Sequence, residues 1–158
     1  MPWQGWPQHV TSEKRIVVAV GLPGSGKSAY FARQGIQPIS SDWLRSFLLG
    51  SEADQRHPEY VFSALRTLLR LRLLLGQSVT YIDATHLTRG ERAGYFVLAR
   101  RFGCVVDAIY FDVPIEVCVE RNRQRNRRVP EEKLREMAAR FEPPTSEEGF
   151  RHILVIHD

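Results

Sequence analysis

Cysteine is scarce in this chain of 158 residues: Cys104 and Cys118 are the only two, and neither belongs to a CxxC pair. A disulfide framework and a cysteine-rich zinc site are therefore excluded, and a reducing cytoplasm is the expected setting. Long hydrophobic runs are also missing. The longest, Leu68 to Leu75, is interrupted by Arg70 and Arg72, well short of the ~20 residues that span a bilayer, so no membrane association is expected. Residues 1–13 hold Trp3, Trp6, Pro2 and Pro7 but no basic lead and no apolar stretch, which argues against a secretory leader. They read as an appended arm ahead of one domain over residues 14–158. No internal repeat or low-complexity linker interrupts that domain. Lysine is rare too: three of the 22 basic residues are lysine, and the rest are arginine. Arginine forks suit phosphate oxygens. The same usage also follows from a GC-rich genome, so a net charge of +4 by itself supports anionic partners only weakly.

What is present alternates strand and helix. Ile16 to Val20 is a short β-branched run of the kind that forms a buried parallel strand. A glycine-rich turn follows, then a helix over Lys27–Gln34 ended by Gly35. A short strand is expected over Ile36–Ser40, and a helix over Trp43–Leu49 with Asp42 as N-cap. Pro58 opens a long helix to Leu75. Val79–Asp83 is a strand, Thr88 caps a helix to Phe102, and Val105–Phe111 is a strand. Pro114 and Pro130 each open a helix, the second reaching about Phe141, and Phe150–Ile156 is a last strand. The class is α/β with a central parallel sheet flanked by helices.

Gly21-Leu22-Pro23-Gly24-Ser25-Gly26-Lys27-Ser28 fits G-x-x-x-x-G-K-[ST] between a strand and a helix, the P-loop context. Glycines there let backbone amides converge on one anion. Lys27 reaches β- and γ-phosphates, and Ser28 offers a hydroxyl to Mg²⁺. The candidate nucleotide-binding residues are Gly21, Pro23, Gly24, Ser25, Gly26, Lys27, Ser28 and Ala29, with ATP and Mg²⁺ as expected cofactors.

Three further groups belong to the same chemistry. Asp42 ends the second strand with Arg45 three positions on, which places an acid to take a proton from an attacking hydroxyl and a cation to hold an acceptor phosphate. The alternative is a helix cap beside a solvated arginine. Asp83 closes an apolar strand as a Walker-B acid does, positioned to hold a magnesium-bound water or to contact the acceptor together with Thr85; the alternative is a turn aspartate. His86 alone is a poor candidate for a base. Arg121 to Arg128 holds five arginines. Arg121 and Arg125 share a face if the helix continues, and such cations stabilise charge on a transferring phosphoryl group. The alternative is a solvated basic face or a nucleic-acid patch.

Taken together, these residues resemble the P-loop polynucleotide 5′-kinase family, the kinase domains of phage and bacterial end-healing enzymes. The resemblance covers roughly residues 15–156 and rests on Gly21–Ser28, Asp42/Arg45, Asp83, Arg121/Arg125 before Val129-Pro130, and Glu142-Pro143-Pro144 with Glu148-Gly149-Phe150. It implies a P-loop NTPase fold, an adenylate-kinase-like sheet with a small arginine-rich lid. It also implies ATP-dependent transfer to the 5′-OH of DNA or RNA. In that scheme Lys27 and Ser28 bind phosphates and Mg²⁺, Asp42 is the general base, and Arg45 binds a backbone phosphate. Arg121 and Arg125 clamp ATP, and Val129 packs near the adenine. Members are usually fused to a phosphatase, ligase or phosphohydrolase domain; here such an activity is expected of a separate partner. A kinase of a small hydroxyl compound and a non-catalytic nucleotide-binding regulator are the alternatives. No N-K-x-D element points to guanine, and nothing fixes the oligomeric state.

Overall fold

The computed structural model describes residues 13–126 and 129–157. Of the expected arm only Glu13 falls among them, and Arg127 and Arg128 of the arginine run lie outside. Five strands form one all-parallel sheet in the order β2-β3-β1-β4-β5. They are β1 (Arg15–Val20), β2 (Ile39–Ser40), β3 (Val79–Asp83), β4 (Val105–Phe111) and β5 (Ile153–Ile156). The helices are α1 (Lys27–Arg33), α2 (Ser41–Leu49), α3 (Pro58–Leu74), α4 (Arg89–Phe102), α5 (Ile115–Arg123) and α6 (Glu131–Arg140). No helix among the described residues is long and apolar enough to cross a membrane.

The continuous apolar reading of β1 has a simple cause: the strand is buried from both sides. Ile16, Val18 and Val20 face one layer with Val61, Leu65, Leu69 and Leu73 of α3 and with Tyr95, Phe96 and Ala99 of α4. Val17 and Ala19 face the other, with Tyr30 and Phe31 of α1. Alternation along the strand thus meets the four-residue spacing of α3, and each such aliphatic side chain contributes about 1.5–3 kcal/mol on burial. A third cluster joins Leu22 of the P-loop and Leu87 to Val113, Cys118, Val119 and Leu134, so α5 and α6 pack against the loop itself.

Several element ends differ from the sequence reading. β2 is two residues long instead of five, since Pro38 offers no N–H to a ladder. α2 starts at Ser41, and its cap is Ser40, whose hydroxyl accepts from Trp43 N at 3.2 Å. Asp42 is therefore a first-turn residue, not the N-cap. β5 starts at Ile153; Phe150 instead packs edge-on against Phe96 of α4.

Two connections fix where a ligand can sit. The chain leaves β1 toward β2 on one side and leaves β3 toward β4 on the other, so the carboxyl ends of the adjacent strands β1 and β3 border a topological switch point. The P-loop follows β1, and Asp83 ends β3.

The loop after β3 is braced from behind. Thr85 O accepts from Gly21 N at 3.1 Å. His86, in the left-handed region at φ 50°, bonds Ala19 O through Nδ1 and Tyr95 Oη through Nε2, both at 2.7 Å. Arg92, fully buried on α4, donates to His86 O at 2.8 Å and forms a two-pronged pair with Glu148 at 2.8 and 3.0 Å. Arg92→Ala strands the Glu148 carboxylate in the interior and is expected to cost about 3–5 kcal/mol, read as a lower urea midpoint with an unchanged m-value.

Candidate active site

Gly24 and Gly26 take φ of +83° and +97°, the left-handed region that glycine enters without strain. A Cβ on Gly24 would also lie 2.9 Å from Cys118 O of α5, so the loop is both turned and pressed against its support. Gly26 then serves as N-cap of α1 and offers no side-chain bond, which leaves the first amides of α1 open to an anion.

Lys27 is buried, and its ammonium donates to Gly21 O and Leu22 O at 2.9 Å each and to Ser25 Oγ at 3.5 Å. Burial lowers its pKa to about 8, partly countered by the charges of Asp83 and Asp42. Ser28 Oγ donates to Asp83 Oδ2 at 2.7 Å. Burial raises the Asp83 pKa, while the Ser28 bond and Lys27 oppose the rise. The structure thus joins Lys27, Ser28 and Asp83 across 55 residues. One hydroxyl and one carboxylate are hard oxygen donors, the partial set that Mg²⁺ accepts when phosphates and water supply the rest. Converging amides, a buried ammonium and this oxygen pair fit a nucleoside triphosphate with its magnesium.

Asp42 and Arg45 form an ion pair, Nη1 to Oδ1 at 2.9 Å. Its two ends differ: the guanidinium is 11% exposed and the carboxylate 60%. Arg45 anchors the pair in the protein while Asp42 faces solvent, and the Asp42 charge acts on both Lys27 and Asp83. Thr85 contributes its carbonyl to Gly21, and its side chain is half-buried beside the same strand ends.

On the lid side, Arg121 Nη1 donates to Gly24 O at 3.3 Å, so this arginine reaches the P-loop. Because α5 ends at Arg123, Arg125 lies beyond the helix, and the expected helical face shared by Arg121 and Arg125 is corrected to a turn. The charge of Arg125 nonetheless acts on Lys27 and Asp83. Val129 is held at its backbone: Asn122 receives Val129 N on Oδ1 at 3.0 Å and donates Nδ2 to Val129 O. Asn122 is buried. Sequence reasoning passed over it, though a polar residue on the apolar face that also carries Cys118 and Val119 is a legible signal for an obligatory side-chain bond. It also passed over Arg92 and its pairing with Glu148, 56 residues away with no local pattern to link them.

The profile of the AAA_33 family, described as an AAA domain, matches residues 16–144. Among solved structures, a sugar kinase from Janibacter sp. HTCC2649 is 22% identical with a TM-score of 0.61, over 92% of this chain and 85% of that one. A putative kinase from Chloroflexus aurantiacus is 16% identical with a TM-score of 0.69, over 94% and 86%. A chain of the Pnkp1/Rnl/Hen1 RNA repair complex is 20% identical with a TM-score of 0.64, over 84% of this chain and 45% of that one. Such identities establish a shared P-loop kinase-like fold.

His86, behind this site, generates a pH dependence. Burial lowers its pKa to about 4 from an ordinary 6.5, so between those values the unfolded chain takes a proton that the folded chain refuses. Stability falls as pH drops through this window, by about 3 kcal/mol when complete. Urea unfolding at pH 7 and pH 4.5 is expected to show a smaller loss in His86→Gln than in the parent.

Proposed function

The chain belongs to the AAA_33 family, and from that starting point we propose that it is an ATP-dependent kinase that transfers the γ-phosphoryl group to the 5′-hydroxyl end of DNA or RNA. The observation that carries this reading is the Asp42–Arg45 pair at the mouth of the switch point, a solvent-facing carboxylate backed by an anchored guanidinium.

Each residue has a role in the transfer. The P-loop amides and Lys27 hold the β- and γ-phosphates, and Ser28 and Asp83 would hold a magnesium ion, which would supply neutralisation of phosphate charge. Asp42 accepts the proton of the 5′-hydroxyl. The hydroxyl oxygen, as its proton passes to Asp42, forms the new bond to the γ-phosphorus while the bond to the β–γ bridging oxygen breaks and ADP departs. Arg45 holds the acceptor's nearest phosphate. Arg121 and Arg125 meet the charge that spreads over the phosphoryl oxygens. A separate phosphatase or ligase would complete end repair.

A small hydroxyl compound is the second reading. A cavity of about 370 Å³ borders Ser28 and Asp83 and is lined also by Phe31, Ile36, Pro38 and Ser40, within the range of small-molecule sites. One assay separates the two. With labelled ATP, label is expected on a 5′-OH oligonucleotide and absent from its 5′-phosphorylated twin, and the rate is expected to fall as salt rises. An oligonucleotide left unlabelled, together with turnover on a sugar or nucleoside panel, selects the second reading. Asp42→Ala should retain ATP binding while losing about 10²–10⁴ in rate. Arg125→Ala should lower kcat more than it raises KM for ATP, as steady-state kinetics will show.

A further inference from the structure

Two aromatic side chains on α2 take no part in the chemistry above. Trp43 and Phe47 lie one turn apart, and their rings stack on each other with centroids 5.3 Å apart and planes 11° from parallel. Both stand in solvent, 58% and 72% exposed. The inner side of α2 is already committed, with Leu44 and Arg45 buried. Trp43 is the chain neighbour of Asp42. Consecutive helical residues are turned by about 100° and rise about 1.5 Å, so the indole lies on the outer flank of the same turn that carries the Asp42–Arg45 pair. Phe47 extends that flank one turn away from the sheet edge.

We propose that the Trp43–Phe47 pair is a stacking platform for unpaired bases next to the 5′ end of the acceptor strand. This rests on the polynucleotide reading. The two rings stack on each other and leave their outer faces to continue the stack, and every nucleobase has a matching face, so the platform binds without choosing sequence. On the inner side of the same turn, the Arg45 guanidinium bonds the Asp42 carboxylate that borders the rings, and with a net charge of +4 it complements the backbone phosphate that must lie between a hydroxyl at Asp42 and the following base. An apolar protein partner would match the rings but not the charged Asp42–Arg45 pair beside them. Bases in an intact duplex end are already stacked on their neighbours, so the platform favours unpaired 5′ ends.

The test is steady-state kinetics of the full chain on a single-stranded 5′-OH oligonucleotide and on the same strand made abasic at its 5′-terminal positions. The proteins are wild type, Trp43→Ala, Phe47→Ala and Trp43→Phe. Trp43→Ala is expected to raise KM for the intact strand about tenfold, with kcat and the KM for ATP within about twofold of the parent, since the rings touch neither the phosphates nor the proton acceptor. Abasic substitution should raise the wild-type KM similarly, and Trp43→Ala should add nothing on the abasic strand, the non-additivity that marks one shared contact. Trp43→Phe should recover most of the affinity. Because both side chains are exposed, truncation leaves the fold intact, as an unchanged circular dichroism spectrum will report. If wild type phosphorylates the strand and Trp43→Ala has the same KM, the platform is overturned and the kinase reading stands. If wild type labels no 5′-OH strand, both fall. A self-association abolished by Trp43→Ala with KM unchanged assigns the rings to a second copy of the chain and overturns the proposal.

Discussion

An ammonium group taken almost wholly out of water sets the terms for the rest of this molecule. Leaving Lys27 buried and unpaired would cost several kcal/mol. The chain avoids that cost by turning Gly21 O and Leu22 O onto Nζ and placing Asp83 nearby. For the carbonyls to point inward, the loop must double back, hence the left-handed backbone at Gly24 and Gly26. For the loop to hold that shape, its ends and its underside must be fixed. Thr85 fixes one end, Cys118 presses from below, and β1 supports it from the centre of the sheet. Geometry that neutralises one charge therefore also aims the backbone amides in the opposite direction.

This division runs through the whole site. Lys27 and Asp83, proposed to serve the nucleotide, are buried and hydrogen-bonded within the protein. Asp42 and Arg125, proposed to act on the acceptor and the reacting oxygens, are exposed. The sheet and loop are shared with a sugar kinase and with a chain of an RNA repair complex at TM-scores of 0.61 and 0.64. On the proposed reading, choice of acceptor lies in the outer surface of α2 and not in the shared sheet.

The P-loop, the five strands and the six helices were legible in the sequence because each has a local signature: a fixed motif, an apolar run, or a capping residue such as Thr88 followed by Glu91. Strand ends were less legible. Ile36 to Ser40 looked like one strand, but Pro38 broke the ladder. Asp42 looked like a cap because it is a good capping residue, yet Ser40 was equally suited and stood where the turn began. The end of α5 was not legible because an arginine run carries no stop signal; the helix stops at Arg123, which sets Arg125 beyond it. Long-range partners were not legible at all. Nothing near Arg92 announces Glu148, and only the packing of α4 against the C-terminal turn makes them meet.

Asn122 holds both the N–H and the C=O of Val129, so a single amide ties the last turn of α5 to the chain that enters α6. A loop sealed at its base can change length cheaply, since doubling it adds only about 0.6 kcal/mol of closure entropy. The sheet would not register such an insertion. Residues inserted between Asn122 and Val129 are therefore expected to be tolerated by the fold as long as that asparagine is kept.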